Sequence, residues 1–181
     1  MRRRNILLIG FMGSGKSSVA KALTVRMSPF RLVDVDAQIE AGAGMPISQI
    51  FEGHGEAYFR DLETKQTSDV CAGDQQIIST GGGVILREEN RTALKAGGIV
   101  FWLVASANIT YERIKDETQR PLINTGASRE EVVTRIETIF QARFDWYNEV
   151  ADVIINTDNM SVEQIAADIQ AEYERLIACL P

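Results

Sequence analysis

The sequence predicts a three-layer α/β/α fold built on a five-stranded parallel sheet. Along the 181 residues, short runs of apolar and β-branched residues alternate with longer segments of helical periodicity, which is the pattern of βαβ units. The short runs are almost continuously hydrophobic, as expected for strands covered by helices on both faces. A chain of this length corresponds to one domain, so we expect a single domain over residues 1–181.

Five segments carry the strand pattern. In chain order they are Asn5–Gly10, Arg31–Asp34, Gln76–Thr80, Ile99–Val104 and Asp152–Asn156. The first contains the run Ile-Leu-Leu-Ile and the fourth contains the run Ile-Val-Phe-Trp-Leu-Val. Runs of this length and composition are typical of buried strands.

Two predicted helices begin at capping boxes. Ser128 and Glu131 form one box before the fifth strand, and Ser161 and Gln164 form another in the C-terminal segment. Apolar residues follow both boxes at helical spacing. They are Val132, Ile136, Ile139 and Phe140 in the first, and Val162, Ile165, Ala166, Ile169, Tyr173 and Leu176 in the second.

Two long segments do not fit the simple alternation of strand and helix. Residues 36–73 are longer than one crossover helix and contain several glycines and a proline, and residues 116–127 are polar and interrupted by Pro121 and Gly126. Long connections in compact α/β domains are usually functional. We therefore expect a substrate-binding insertion at about 36–73 and a mobile lid at about 116–127.

Composition excludes several classes of protein. The chain is 45% hydrophobic and 24% charged, which is ordinary for a globular protein, and its net charge of −6 disfavours a binder of nucleic-acid backbones. No apolar run approaches the roughly 20 residues of a membrane-spanning helix. The two cysteines, Cys71 and Cys179, lack metal-ligand spacing and favour a reducing compartment. We expect a cytoplasmic monomer with no nucleic-acid or membrane partner.

Residues 10–17 match the phosphate-loop motif G-x-x-x-x-G-K-[ST] at every fixed position. An apolar strand precedes the motif and a predicted helix follows it, which is the frame in which backbone N–H groups cradle phosphates. Lys16 would reach the β- and γ-phosphates of a nucleoside triphosphate, and the Ser17 hydroxyl would ligate Mg²⁺. The alternative, a glycine-rich turn that only joins strand to helix, requires a rare chance match. The expected phosphate contacts are Gly13, Ser14, Gly15, Lys16, Ser17 and Ser18.

Two carboxylates, Asp34 and Asp36, stand at the end of the second predicted strand. Doubly wound sheets bind ligands at this edge. On an extended backbone, residues two apart point to the same side, so we expect the two carboxylates to lie together. One of them can hold magnesium and its waters while the other accepts a hydroxyl proton. The alternative is a pair of solvated carboxylates, the second of which caps a helix.

A basic residue and a glycine run suggest a site for the phosphate acceptor. Arg60 falls in a predicted helix of the insertion, with Glu63 three residues later and so on the same face. Gly81, Gly82 and Gly83 follow the third strand and leave backbone N–H groups open to a small ligand. Taken singly, the arginine is also compatible with a surface ion pair and the glycines with a simple turn.

Two further arginines lie in the C-terminal half. Arg120 falls in the predicted lid within the sequence Arg-Pro-Leu, and Arg143 falls late in the next predicted helix, with Tyr147 four residues on. Each arginine, taken singly, is also compatible with a surface position.

Together these motifs resemble the shikimate kinase family, whose fold is that of the P-loop nucleoside monophosphate kinases. The resemblance runs from Gly10 to Asp158. Many unrelated enzymes share the phosphate loop, so the specific part is the ordered set Asp-x-Asp, Phe-Arg-x-x-Glu, Gly-Gly-Gly, Arg-Pro-Leu, Arg and Ala-Asp at these intervals. The resemblance implies ATP-dependent phosphorylation of the 3-hydroxyl of shikimate in chorismate biosynthesis, with ATP and shikimate as the small-molecule partners.

The resemblance also implies roles for the acceptor residues. Asp34, with Ser17, would help to hold hydrated Mg²⁺, and Asp36 would bind a shikimate hydroxyl and act as the base toward the attacking 3-hydroxyl. Arg60 and Arg143 would clamp the shikimate carboxylate, with Glu63 orienting Arg60. Gly81, Gly82 and Gly83 would line the same pocket.

On the nucleotide side, the resemblance implies that Arg120 reaches the transferred phosphoryl group and is catalytic together with Lys16 and Asp36. Arg113 would pack against the adenine, and the loop from Asp158 would border that base. The chain departs from the family in two places: Ile123 follows Arg-Pro-Leu instead of the commoner leucine, and the motif around the last arginine differs. The family usually shows Arg-x-Pro-Leu-Tyr where this chain has Arg143-Phe-Asp-Trp-Tyr147, without the proline.

Two other functions are compatible with the phosphate loop. Another small-molecule kinase, such as a gluconate kinase, would share the loop and the fold but would not need the Phe-Arg-x-x-Glu motif and the late arginine. A nucleotide-dependent switch would need no acceptor at all. Switches of the GTPase type usually carry Asn-Lys-x-Asp, and this tetrapeptide does not occur in the chain.

Overall fold

A computed structural model describes residues 4–115 and 127–179. The five predicted strands are all present, and each end lies within one residue of its predicted position. The strands are β1 (Asn5–Ile9), β2 (Arg31–Asp34), β3 (Gln76–Ser79), β4 (Gly98–Val104) and β5 (Val153–Asn156).

The strands form one parallel sheet in the order β2-β3-β1-β4-β5. The central strand β1 is buried along its whole length, and its Leu7 is paired with Ile78 of β3 and Val100 of β4. In a parallel sheet all carboxyl ends meet at the same edge. The loops after β1, β2 and β3, which carry the predicted motifs, are therefore neighbours in space. The fold class expected from the sequence is confirmed.

Helices cover both faces of this sheet, which gives the three layers. In the described parts of the chain they are α1 (Lys16–Arg26), α2 (Val35–Ala43), α3 (Ile47–Cys71), α4 (Glu88–Gly97), α5 (Ala107–Ile114), α6 (Arg129–Val150) and α7 (Val162–Ala178). One hydrophobic cluster joins the sheet to α3, α4 and α6, and a second joins it to α1 and α7. None of the helices in residues 4–115 and 127–179 has the length and apolar character needed to span a membrane.

Residues 36–73, the predicted insertion, fold as α2 and the long helix α3. The helix α3 is kinked at Gly55, whose φ of +82° and ψ of 172° interrupt the helical backbone. A positive φ of this size favours glycine because it has no Cβ. The predicted lid lies outside the described residues except for Ala127, and its Arg120 is among the residues not described.

The sequence predicted an extended backbone through Asp34 and Asp36 at the end of β2, and this prediction is wrong. The chain enters α2 at Val35, immediately after Asp34, so that Asp36 is in the first helical turn and not on an extended strand. Asp34 is the N-cap of α2, and its Oδ1 accepts a hydrogen bond from the Ala37 N–H at 3.1 Å. The first carboxylate, Asp34, caps the helix, whereas the alternative considered from the sequence placed the cap at the second, Asp36. The strand ends and the helix begins within this short segment, so the sequence pattern does not locate the boundary.

Both predicted capping boxes are confirmed. The Ser161 Oγ accepts from the Gln164 N–H at 3.2 Å, and the Gln164 Oε1 accepts from the Ser161 N–H at 2.8 Å. Ser128 and Glu131 make the same reciprocal pair at the start of α6. These short-range bonds explain why the sequence alone located the two helix starts.

We expect Ser161→Ala to lower the free energy of unfolding by about 1 kcal/mol, because the Gln164 N–H loses its acceptor at the helix start. The loss affects the fold because α7 buries Ile165 and Ile169 in the second hydrophobic cluster. Urea unfolding measures the change. Ser161→Asn keeps a side-chain acceptor and serves as the matched control. Equal losses in both variants would contradict a capping role.

Candidate active site

The phosphate loop connects β1 to α1 through three glycines with positive φ. A Cβ on Gly10, whose φ is +147°, would lie 2.4 Å from the Leu103 carbonyl oxygen, so no larger residue fits there. Helix α1 begins at Lys16, directly after the loop. The first N–H groups of a helix have no partner within it, and this end of the helix carries partial positive charge. The loop and the helix start are therefore suited to bind phosphate.

Lys16 lies at the centre of this loop. Its buried Nζ donates to the carbonyl oxygens of Gly10 at 2.8 Å and Phe11 at 2.9 Å. The ammonium group is therefore held by the backbone of the same loop that would receive a nucleotide. Phosphate oxygens that enter the loop can replace these carbonyl oxygens as acceptors.

Three oxygen atoms converge beside the loop. The Ser17 Oγ is 3.5 Å from the Asp34 Oδ2 and 3.5 Å from the Ser79 Oγ. Hydroxyl and carboxylate oxygens of this kind suit Mg²⁺, which keeps several waters and phosphate oxygens as further ligands. Within residues 4–115 and 127–179 no group of three or more His, Cys, Asp or Glu residues could hold a metal. The sequence analysis missed Ser79, although its place at the end of the strand beside β1 is a usable signal.

Arg60 is held between two carboxylates on its own helix. Its Nη1 donates to the Glu63 Oε2 at 2.7 Å, and its Nη2 and Nε donate to the Glu56 Oε1 at 3.0 and 3.2 Å. Glu63 is fully buried, whereas the Glu56 side chain is 63% exposed. The contact of Arg60 with Glu63 is the one expected from the sequence. Glu56 was missed, although its spacing of four residues from Arg60 indicates a helical pair.

Burial raises the pKa of Glu63, and the nearby Arg60 opposes this effect without cancelling it. Burial by itself lowers the pKa of Arg60, but the charge and hydrogen bonds of Glu63 and Glu56 outweigh it and raise that pKa. The guanidinium therefore stays charged, and its side edges are occupied. The edge formed by Nη1 and Nη2 remains directed at the glycine turn.

The glycine turn, Gly81–Gly83, places bare backbone against site side chains at two positions. A Cβ on Gly83 would lie 2.5 Å from Nη1 and 2.7 Å from Nη2 of Arg60. A Cβ on Gly81 would lie 2.8 Å from the Asp36 Oδ1 and 3.1 Å from the Glu63 Oε1. The lack of side chains on Gly83 and Gly81 therefore lets the Arg60 guanidinium and the Asp36 and Glu63 carboxylates pack directly against the turn.

Helix α6 brings a second arginine to the same turn. The Arg143 Nη1 donates to the Gly82 carbonyl at 3.5 Å, and its Cζ is 5.9 Å from the centre of the Phe11 ring in the phosphate loop. The Tyr147 hydroxyl donates to the same carbonyl at 2.6 Å. Without a proline at Asp145, α6 continues unbroken from Arg129 to Val150.

Arg113 and Asp158 lie on the outer side of the phosphate loop. The Arg113 Nη1 donates to the Gly13 carbonyl and the Thr157 Oγ1, both at 3.1 Å, and its Nη2 donates to the Thr157 carbonyl at 2.9 Å. The Asp158 Oδ1 accepts from the Ser106 N–H at 2.8 Å. Arg113 thus ties the phosphate loop to the segment after β5.

The described site residues form two adjoining pockets. Lys16 and the start of α1 form the first, and Arg60, Arg143, Asp36 and the glycine turn form the second. A Cβ on Gly82 would lie 3.1 Å from the Met12 backbone nitrogen, so the two pockets meet at this glycine. The arrangement can bind a phosphate chain on one side and an anionic hydroxyl compound on the other.

The sequence matches a family model described as shikimate kinase over residues 12–174. The shikimate kinase of Thermodesulfovibrio yellowstonii is 44% identical over 173 residues, covering 96% of this chain and 96% of that protein. The shikimate kinase of Geobacter metallireducens is 40% identical over 171 residues, covering 94% and 92%. The structure of shikimate kinase from Acinetobacter baumannii in complex with shikimate matches with a TM-score of 0.88 at 30% identity, covering 99% of this chain and 96% of that one.

We expect the stability of Glu63→Gln to improve relative to the unmodified protein as the pH rises above 4.5, the ordinary pKa of glutamate. Because burial raises the pKa of Glu63 in the folded state, the unfolded chain releases this proton at lower pH than the folded chain does. The contribution of Glu63 to stability is therefore fully present below pH 4.5. It is lost as the pH rises through the raised pKa of Glu63 in the folded protein. Glutamine does not titrate.

Urea unfolding of both proteins between about pH 4 and about pH 7 measures this difference. Loss of the ion pair with Arg60 lowers the free energy of unfolding of Glu63→Gln by a constant amount. The prediction concerns how the difference in unfolding free energy between the two proteins changes with pH. Glu56→Gln removes an exposed carboxylate from the same guanidinium and is the control for loss of charge alone. A stability difference between the two proteins that stayed constant over the pH range would contradict a raised pKa of Glu63 in the folded state.

Proposed function

Because the chain belongs to the shikimate kinase family, we propose that its two adjoining pockets transfer the γ-phosphoryl group of ATP to the 3-hydroxyl of shikimate. The observation that carries this proposal is the convergence of two arginines on the glycine turn, with the Nη1–Nη2 edge of Arg60 against Gly83 and Arg143 at the Gly82 carbonyl. Two guanidinium groups around a side-chain-free turn suit a carboxylate, since planar guanidinium groups bind carboxylates through paired hydrogen bonds. The shikimate complex of the Acinetobacter baumannii enzyme supports this choice of acceptor.

The phosphate loop would hold the nucleotide. Its contacts would come from Gly13, Ser14, Gly15, Lys16, Ser17 and Ser18. Lys16 would exchange the Gly10 and Phe11 carbonyl oxygens for phosphate oxygens, at no loss of hydrogen bonds to its ammonium group. Arg113 and Asp158, on the outer side of the loop, would lie beside the adenine. Arg120 would reach the transferred phosphoryl group and lies outside the described residues.

Ser17 and Asp34 would hold Mg²⁺, with Ser79 beside them. The fit rests on the convergence of the Ser17 Oγ with the Asp34 and Ser79 oxygens at 3.5 Å. A bound Mg²⁺ neutralises charge on the phosphate oxygens. Asp34 is anchored for this role because its other oxygen caps α2.

Asp36 would accept the proton of the 3-hydroxyl as that oxygen attacks the γ-phosphorus. The Asp36 Oδ1 and the Glu63 Oε1 converge on Gly81, and these oxygens can accept a hydrogen bond from a hydroxyl group of the acceptor. Glu63 and Glu56 would keep Arg60 in place, so that the carboxylate of shikimate fixes the ring at a set distance from the phosphate loop. Phosphoryl transfer depends mainly on such positioning and on charge stabilisation.

In this proposal the whole chain is one kinase domain. Helices α2 and α3 form the insertion that carries the acceptor residues Asp36, Arg60 and Glu63. The lid at residues 116–127, the cytoplasmic location and the monomeric state stay predictions from the sequence.

We expect rapid release of ADP from ATP only when shikimate is present. A coupled assay with shikimate, with gluconate or with water as the only acceptor measures this directly, because each function considered above predicts a different active mixture. Turnover with gluconate alone would assign a different acceptor. Equal rates with and without any acceptor would indicate a simple ATPase or a nucleotide switch.

We expect Arg60→Ala to reduce kcat/KM for shikimate between about 30-fold and several thousand-fold, since removing one partner of a buried charged contact costs roughly 2–5 kcal/mol. ATP affinity, measured by calorimetry, should stay near that of the unmodified protein because Arg60 makes no described contact with the phosphate loop. Arg26→Ala, on the α1–α7 side of the sheet, is the matched control. An equal loss of ATP affinity would contradict the separation of the two pockets.

A further inference from the structure

Tyr147 is a fully buried tyrosine whose hydroxyl reaches the glycine turn. It donates a hydrogen bond to the Gly82 carbonyl at 2.6 Å. The ring is stacked on Trp102 of β4, with 5.3 Å between the ring centres and 12° between the planes. Trp102 is itself buried in the sheet. The aromatic contact therefore fixes the direction in which the hydroxyl points.

The carbonyl groups of the turn have different partners. The Gly81 carbonyl accepts from the Val84 N–H at 3.3 Å, and the Gly83 carbonyl accepts from the Leu86 N–H at 3.0 Å. The Gly82 carbonyl instead accepts from α6, through Tyr147 at 2.6 Å and Arg143 at 3.5 Å. The hydrogen bond from Tyr147 is the shorter of the two and so the stronger contact between the turn and α6.

The orientation of this one peptide group affects the whole turn. Glycine restricts its own backbone less than any other residue, so a run of three needs outside contacts to stay in one conformation. A peptide group is planar, so fixing the Gly82 carbonyl also fixes the Gly83 N–H, which points the opposite way. Gly83 and Gly81, on either side, lie directly against Arg60 and Asp36, because an added Cβ would come within 2.5 Å of the Arg60 Nη1 and 2.8 Å of the Asp36 Oδ1.

We propose that Tyr147 is a positioning residue of the acceptor pocket, and that its hydroxyl holds the Gly82 carbonyl and thereby keeps Gly81 and Gly83 in place against Asp36 and Arg60, which bind the acceptor. This inference rests on the proposed function. Tyr147 acts through the turn and touches no reacting atom. Burial raises the pKa of Tyr147 above its ordinary value of 10, so its hydroxyl stays a donor over the working range of pH.

The test compares Tyr147→Phe with Tyr173→Phe. Tyr173 is also buried, and its hydroxyl also donates to a backbone carbonyl, that of Arg4 at 3.2 Å, but it lies in the other hydrophobic cluster with α1 and α7. Each variant loses one hydroxyl and one bond to the backbone. An effect seen only in Tyr147→Phe therefore comes from the location of its hydrogen bond at the glycine turn, and not from the loss of a tyrosine hydroxyl as such.

We expect Tyr147→Phe to raise KM for shikimate about tenfold, while kcat and KM for ATP change by less than about twofold. Tyr173→Phe should leave all three constants unchanged. A second measurement follows shikimate binding without turnover by tryptophan fluorescence. It uses a Trp146→Phe background, because the chain has two tryptophans and the remaining one, Trp102, stacks on residue 147. The dissociation constant should rise in parallel with KM.

Two results would overturn the positioning role. One is a KM for shikimate that changes no more in Tyr147→Phe than in Tyr173→Phe. The other is a Tyr147→Phe protein with a lower unfolding midpoint and equal losses in kcat and in KM for both substrates, which would mark a purely structural residue. Failure of the unmodified protein to use shikimate would reject the proposed function instead, and the assay without the variants detects that case separately.

Discussion

The acceptor half of the site depends on the buried ion pair between Arg60 and Glu63. A fully buried carboxylate is costly unless it is paired and hydrogen-bonded, and Glu63 meets this condition at its Oε2 through the guanidinium at 2.7 Å, whereas its Oε1 has no hydrogen-bond partner among the described residues. The same contact fixes Arg60, with Glu56 on the opposite side, so that one edge of the guanidinium faces the glycine turn. A Cβ on Gly83 would stand 2.5 Å from Nη1, so any larger residue there would displace the guanidinium. The ion pair thus accounts for the three-residue spacing of Arg60 and Glu63, for the glycine at position 83 and for the direction of the Nη1–Nη2 edge.

The parallel sheet brings this acceptor half against the nucleotide half. Because β1 lies between β3 and β4, the phosphate loop after β1 and the glycine turn after β3 leave the sheet side by side. Asp34 at the end of β2 completes the edge and lies 3.5 Å from the Ser17 hydroxyl. The chain as a whole carries a net charge of −6, yet Lys16, Arg60 and Arg143 gather at this edge. Local cations of this kind attract anionic ligands to an otherwise acidic protein.

Membership of the shikimate kinase family agrees with the chemistry that these pockets support. Without the family's proline after Arg143, α6 runs unbroken and brings Arg143 to the Gly82 carbonyl. One turn later the same helix places Tyr147 on that carbonyl, backed by the stacked ring of Trp102. Aromatic packing in the core and hydrogen bonding at the turn therefore act together on the geometry of the acceptor pocket.

The sequence by itself determined the features that depend on near neighbours along the chain. The strands, the two capping boxes, the phosphate loop and the pairing of Arg60 with Glu63 all follow from periodicity or from contacts within four residues. Only the tertiary structure decided that Asp36 lies in a helix and that Ser79 and Tyr147 reach the site, since those facts depend on where β2 ends and on which elements pack together. Patterns along a chain record local energies, whereas the meeting of Tyr147 with Gly82 across 65 residues is set by the packing of α6 on the sheet.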